Sequence, residues 1–250
     1  MVTTEQSIHY PDSDGQPMAD NTKQFEAIVY LKKGFDLLFV DDPNVFVAGD
    51  LLWYPVEGNN KLRLAPDAMV VFGRPKGDRG SYQQWKEDNI APQVVFEVLS
   101  PGNTISEMSR KFQFYDRYGV EEYYIYDPDR QSLDGYIRRD GFLDTIEEME
   151  EWVSPRLMVR FRLTQNGQLI LYRLDGQPLE TYEEMAQRVQ QEQAKAQQER
   201  AKAQQEQARA EREQARAERE QARAEAAEQE IERLKAQIKA LEQQSDDEAN

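Results

Sequence analysis

Residues 93–100 read QVVFEVLS, and this run decides the fold. It is apolar from Val94 to Leu99 except at Glu97. A run this short and this apolar matches a strand buried on both faces of a sheet. SPGNT (100–104) follows as a turn. Thr104 and Glu107 then make a T-x-x-E capping box, so a helix is expected to start there. It should run through MSRKFQFYDRY (108–118) and stop at Gly119. VEEYYIYDPD (120–129) reads as a strand ending in a DP turn.

Working upstream, KLRLAPDAMVVFG (61–73) reads as a strand and VEGNNK (56–61) as a hairpin-type turn. FDLLFVDDPNVFVAGDLLWYP (35–55) predicts two strands around a DDPN turn. Thr22 to Lys33 predicts a short helix stopped at Gly34. Downstream, SLDGYIRRDG (132–141), RLMVRFRL (156–163) and QLILYRL (168–174) look like strands of a meander. One helix among strands in mixed order makes the class α/β (α+β). The expected organisation is an irregular lead-in over 1–22, one domain over 23–178, a long charged helix over 179–244 and a disordered tail over 245–250.

The helix expectation for the tail rests on a seven-residue repeat from Val189: VQQEQAK, AQQERAK, AQQEQAR, AEREQAR, AEREQAR, AEAAEQE, IERLKAQ, IKALEQQ. It contains no Pro or Gly and is built from strong helix formers. With Val189 at position a, Ala fills the next five a sites and Glu the first five d sites. Only Ile231, Leu234, Ile238 and Leu241 form a proper seam, and Ile at a with Leu at d favours a parallel dimer. The expectation is a rigid arm with a coiled-coil end and a homodimer or homo-oligomer.

Cysteine is absent and histidine occurs once, at His9. Disulfides, thiolate zinc sites and a cysteine nucleophile are therefore excluded, and a Ser-His-Asp triad is a poor fit. No apolar run approaches the ~18 residues of a membrane span, and the N-terminus does not read as a signal peptide, so a cytoplasmic protein is expected. The net charge is −16. Such a chain is no general electrostatic glue for nucleic acid, so binding would need local basic clusters or a bound cation.

Glu97 is the informative residue. A carboxylate in a strand buried on both faces costs several kcal/mol unless it is paired, protonated or on a cation. The alternative is a strand-end acid facing solvent. Asp67 opens the apolar strand AMVVF after Pro66 and is either a polar strand start or a second acid beside Glu97. Two carboxylates on adjacent strands suit Mg²⁺, which takes few carboxylates and several waters. Asp50, in VFVAGDLLWYP, is a third acid in an apolar run, as a ligand or as a bulge residue. At 100° per residue, Lys111 lies within about 60° of Met108 and 40° of Tyr115. It either snorkels or aims at the carboxylates, with Tyr115 one turn on to orient it. The loop 73–89 offers Arg74, Lys76, Arg79 and Lys86, with Tyr82 and Trp85 for stacking, or is simply a solvated loop.

RLAPDAMVVFG, PQVVFEVLSPGNT and RKFQFYDRYGVEEYYIYDPD resemble, in order, the Uma-family restriction endonuclease domain of the PD-(D/E)XK nuclease superfamily. The resemblance spans most of residues 10–175. It implies a restriction-endonuclease-like mixed central sheet flanked by helices. It also implies a Mg²⁺ (or Mn²⁺) site on Asp67 and Glu97, with DNA as substrate. The superfamily's usual lysine, two residues after the Glu, is Leu99 here, and the resemblance places it on the following helix, at Lys111. A metal-dependent endonuclease is the first expectation. The second is a catalytically silent nuclease-like domain that serves as an oligomeric scaffold through its coiled coil.

Overall fold

A computed structural model describes residues 8–248, with side chains described as far as residue 237. The chain divides into two units between Met185 and Ala186.

The first unit is built on a six-stranded sheet. Its strands are β1 (Val45–Ala48), β3 (Ala68–Phe72), β5 (Val94–Val98), β6 (Glu122–Asp127), β7 (Ser132–Arg139) and β8 (Phe142–Thr145). They lie side by side in the order β1-β3-β5-β6-β7-β8. Only β5 and β6 run parallel; the other neighbours are antiparallel. The parallel pair needs a crossover, and helix α2 (Ile105–Arg117) supplies it. The Thr104 side chain caps α2, accepting from the Glu107 N–H at 3.2 Å.

The near-continuous apolar run of β5 has a simple cause: both faces are buried. Val94, Phe96 and Val98 join one core with Ile28, Leu31 and Phe35 of helix α1 (Thr22–Leu38). Val95 joins the other with Met69, Val71, Tyr115 and Trp53. Glu97 has the parity of Val95, so it projects into the α2 side.

Three expectations are corrected here. The α1 helix does not stop at Gly34 but runs to Leu38, so residues 35–38 are helical rather than extended. A helical glycine costs about 1 kcal/mol, yet Phe35 completes an i, i+3, i+7 stripe with Ile28 and Leu31 that the core buries completely. Gly34 itself sits close to Leu179, 3.5 Å from an added Cβ. The strands after β6 do not form one meander. β9 (Val159–Leu163) and β10 (Leu169–Arg173) make a separate two-stranded sheet. Its inner face puts the Phe161 ring 5.8 Å from Phe96 and 4.7 Å from Tyr124. Finally, only Trp53–Tyr54 (β2) of LLWYP is a strand, paired in parallel with Tyr82–Gln83 (β4).

Residues 1–7 of the expected irregular lead-in lie outside what is described, and from residue 8 on it is tied down. Tyr54 Oη donates to the Pro11 carbonyl at 2.7 Å, and the Tyr10 ring packs 4.9 Å from Trp85. His9 takes part through its carbonyl, which accepts from Asn60 Nδ2 at 2.9 Å.

The second unit is a single helix, and α3 as a whole spans Tyr182–Glu248. Thr181 and Glu184 cap it reciprocally: the Glu184 N–H donates to Thr181 Oγ1 at 3.2 Å and the Thr181 N–H to Glu184 Oε2 at 2.9 Å. The 67 residues correspond to about 100 Å of helix. Pairs one turn apart lace its surface, such as Arg209 with Glu213 and Arg216 with Glu220, both at 3.1 Å. Each contributes about 0.2–0.5 kcal/mol. The helix continues past the expected end at Gln244, since SDDE contains neither Gly nor Pro. The last two residues of the expected disordered tail, and the Ile238 and Leu241 side chains of the expected seam, lie outside what is described. Ile231 and Leu234 are 51% and 48% exposed on the single chain. Among the described residues no helix is long and apolar enough to cross a membrane.

Candidate active site

The β3–β5 register aligns Ala68 with Phe96. One step further, Asp67 comes opposite Glu97. Opposed residues on antiparallel neighbours share a face, so both carboxylates enter the α2 side. Asp67 Oδ2 accepts from the Val98 N–H at 2.6 Å, and the Glu97 carboxylate is near enough to act on Asp67. Two carboxylates in that relation need a proton or a cation between them.

Lys111 and Tyr115 stand one turn apart on α2 and both reach Glu97. Lys111 Nζ lies 2.7 Å from Glu97 Oε2, and Tyr115 Oη donates a hydrogen bond to Glu97 Oε1. Glu97 is 1% exposed and the Lys111 side chain 16%. Four of the residues singled out from the sequence, Asp67, Glu97, Lys111 and Tyr115, therefore converge.

The electrostatics follow from burial and proximity. Burial first, and then the Glu97 carboxylate, push Asp67 well above the ordinary carboxylate range, although Lys111 and the Val98 N–H pull the other way. Burial opposes the Lys111 charge, but Glu97 and Asp67 hold its ammonium above the usual lysine range. Burial and the Glu97 charge push the Tyr115 phenol far up, which keeps it a donor.

A pH prediction follows for the metal-free protein. Asp67 binds its proton more tightly folded than unfolded. Its contribution to stability is therefore full below the ordinary carboxylate value near ~4 and is lost as pH rises through the raised value. Urea unfolding in chelator across that range should show wild type losing stability relative to Asp67→Asn as pH rises. A constant difference between the two would contradict the raised Asp67.

Asp50 stands apart. It is a left-handed turn residue (φ 48°) whose N–H donates to the Pro66 carbonyl at 3.0 Å. Burial and Asp14 raise its pKa, with Lys111 opposing and Glu97 adding a smaller push. Among the described residues no three His, Cys, Asp or Glu side chains group to hold a metal, so Asp50 does not complete a cluster with Asp67 and Glu97. The pair alone still suits Mg²⁺ or Mn²⁺: both donors are hard oxygens, and Mg²⁺ is commonly held by one or two carboxylates with water filling the rest.

The loop 73–89 is corrected more heavily. Glu87 Oε1 lies 2.7 Å from Arg79 Nε, and Glu87 Oε2 lies 2.9 Å from Arg74 Nε. The Arg79 guanidinium also covers the Phe46 ring at 3.9 Å. Lys76 Nζ donates to the carbonyls of Phe39 and Val40 at 2.5 and 2.7 Å. Tyr82 is buried and donates to the Ile90 carbonyl at 2.7 Å. Trp85 packs on Tyr10. Lys76 and Lys86 are exposed, but Lys76 is already engaged by those carbonyls, so the loop spends most of its basic and aromatic groups on itself and its neighbours.

The structure adds residues around the end of β5 that sequence reasoning missed. Gln24 Nε2 donates to the Val98 carbonyl at 2.7 Å, and Ser100 Oγ lies 2.5 Å from Asp20 Oδ2. Nothing in the aperiodic stretch before Asn21 signals Asp20, and Gln24 reads as one more polar position in the first turn of α1. A second buried acid, Glu122, is already satisfied by Ser154 Oγ, by Tyr124 Oη at 2.9 Å and by the Arg156 N–H at 2.7 Å. A cleft of about 800 Å³ flanks α2 beside Met108, Phe112, Ile125 and Tyr136 and does not contain the two acids.

No curated protein matches the chain. One solved structure it resembles is that of a putative nuclease belonging to DUF820 from Anabaena variabilis ATCC 29413. The TM-score is 0.42 and the identity 15%, over 56% of this chain and 74% of that one. The Uma2 family model, described as "putative restriction endonuclease", matches residues 16–206, about three quarters of the sequence. The chain therefore belongs to the Uma2 family of putative restriction endonucleases.

Proposed function

We propose that this domain is a divalent-metal-dependent endonuclease that hydrolyses phosphodiester bonds in DNA, with Asp67, Glu97 and Lys111 at its centre. The observation that carries the reading is the meeting of Asp67, Lys111 and Tyr115 on one almost fully buried carboxylate, Glu97. Asp67 and Glu97 would hold Mg²⁺ or Mn²⁺, which would supply Lewis acidity toward the phosphodiester and a more acidic water. The chain's own groups do the rest. The Val98 N–H fixes Asp67, and Tyr115 fixes Glu97. Lys111 offers a positive charge beside both acids, where it stabilises negative charge on the phosphoryl oxygens as water adds to phosphorus and the bond to the leaving sugar oxygen breaks.

Plasmid DNA incubated with the protein and Mg²⁺ or Mn²⁺ tests this. Wild type should nick it, and chelator should stop the reaction. Asp67→Asn keeps an acceptor for the Val98 N–H, so it should fold normally and cut at least ~100-fold more slowly. Undiminished cleavage by that variant would remove Asp67 from the site.

A second reading, a silent nuclease-like scaffold, is favoured by the internal pairing of Arg74, Lys76 and Arg79, which leaves the 73–89 loop little free charge for a phosphate backbone. It predicts no cleavage with either metal.

Both readings use α3 as a pairing arm, supported by the exposed Ile231 and Leu234 at heptad a and d positions. Light scattering on a chain shortened after Glu180 should report a monomer where the full chain is a dimer. An unchanged assembly would take the arm out of the explanation.

A further inference from the structure

The Tyr123 ring packs in the core, but its hydroxyl has no task there. The residue is fully buried, and its hydroxyl is one of two buried side-chain polar atoms without a hydrogen-bond partner among the described residues. A buried O–H left unmade is costly, and native structures rarely tolerate one without a reason. A phenylalanine would fill the same place without that cost.

Its position is suggestive. In the parallel β5–β6 register Tyr123 lies beside Val95, and Val95 shares its face with Glu97 two residues on. The Tyr123 ring is 4.9 Å from that of Tyr115, the residue whose hydroxyl already holds Glu97. On its other side it stacks on Tyr136 at 5.6 Å. The charges of Glu97 and Asp67 both act on its phenol, and with burial they keep it protonated, a donor without an acceptor.

The acceptor on that face, Glu97, is occupied. Glu97 gives one oxygen to Tyr115 and the other to Lys111. Lys111 is the donor that changes when a divalent cation arrives, because two cations then compete for one carboxylate. Each carboxylate oxygen can accept twice, so the rearranged Glu97 has room for a new donor.

We infer that Tyr123 is a positioning residue of the cation-loaded site, its hydroxyl donating to the Glu97 carboxylate once Lys111 has let go. This deepens the nuclease reading and rests on it. Tyr123 acts through Glu97 and does not touch the phosphate.

The test compares wild type, Tyr123→Phe and Tyr115→Phe by calorimetric titration with Mn²⁺ and by thermal melting in chelator. Without metal, Tyr123→Phe should melt at or above the wild-type temperature, because it deletes an unsatisfied group. Tyr115→Phe should melt lower, because it strips a bond from Glu97. With metal, Tyr123→Phe should bind Mn²⁺ about tenfold more weakly, the size of one hydrogen bond to a charged group. Unchanged Mn²⁺ affinity in Tyr123→Phe, or a lower melting temperature without metal, would overturn the role of Tyr123 and leave the nuclease reading standing. A wild type that binds no Mn²⁺ would overturn both.

Discussion

Lys111→Met is expected to lower the free energy of unfolding by about 3–5 kcal/mol, the usual result of removing one partner from a buried ion pair. Glu97 is 1% exposed and cannot recover the loss by hydration. Methionine restores the volume of the lysine stem, so the effect isolates charge from packing. At ~2–4 °C per kcal/mol for a domain of this size, the melting temperature should fall by roughly 10 °C. The double variant Lys111→Met with Glu97→Gln provides the control. With no charge left to strand, it should regain most of the stability and none of the activity. A Lys111→Met protein as stable as wild type would mean that the lysine does not hold Glu97 in solution.

The second large effect is on chemistry. Glu97→Gln should reduce cleavage by about a thousandfold or more, equivalent to ~4 kcal/mol of transition-state stabilisation. The amide is the same size and can still accept the Tyr115 hydroxyl, but it carries no charge to hold a divalent cation. Mn²⁺ titration should therefore lose its heat along with the activity, while circular dichroism stays unchanged. Cleavage within tenfold of wild type would place the reaction elsewhere.

These two residues were also the most legible in the sequence. A single charge inside VVFEVL is conspicuous because every neighbour is apolar, and the two cores on either side of β5 explain why. The Thr104–Glu107 cap fixed the start of α2, and from there helical geometry was enough to turn Lys111 toward the same face as Tyr115. Legibility failed where a partner came from far along the chain. The FDLL segment has strand-like composition, but Phe35 is drawn into α1 by a core that includes Phe96, 61 residues away, at a ring distance of 5.4 Å. Arg74 and Arg79 look like free cations until Glu87 is folded back between them. Strand β8 is four residues long with only Leu143 buried, too faint a pattern to register. Tyr123 was one more aromatic in EEYYIY, and only an empty hydrogen-bond position distinguishes it from the rest.

The bond between Asp67 and the Val98 N–H has a consequence for how such domains decay. Pro66 has no N–H, and its carbonyl already accepts from Asp50, so the side chain at 67 closes this end of the sheet. Selection for a folded protein alone would keep an oxygen there long after catalysis had gone. Glu97 and Lys111 are held by no such debt to the backbone. A lineage freed from cutting could exchange them together for a pair of apolar side chains at little or no loss of stability. Among descendants of a chain like this one, a surviving aspartate says little about a living enzyme. The joint fate of the glutamate and the lysine says much more.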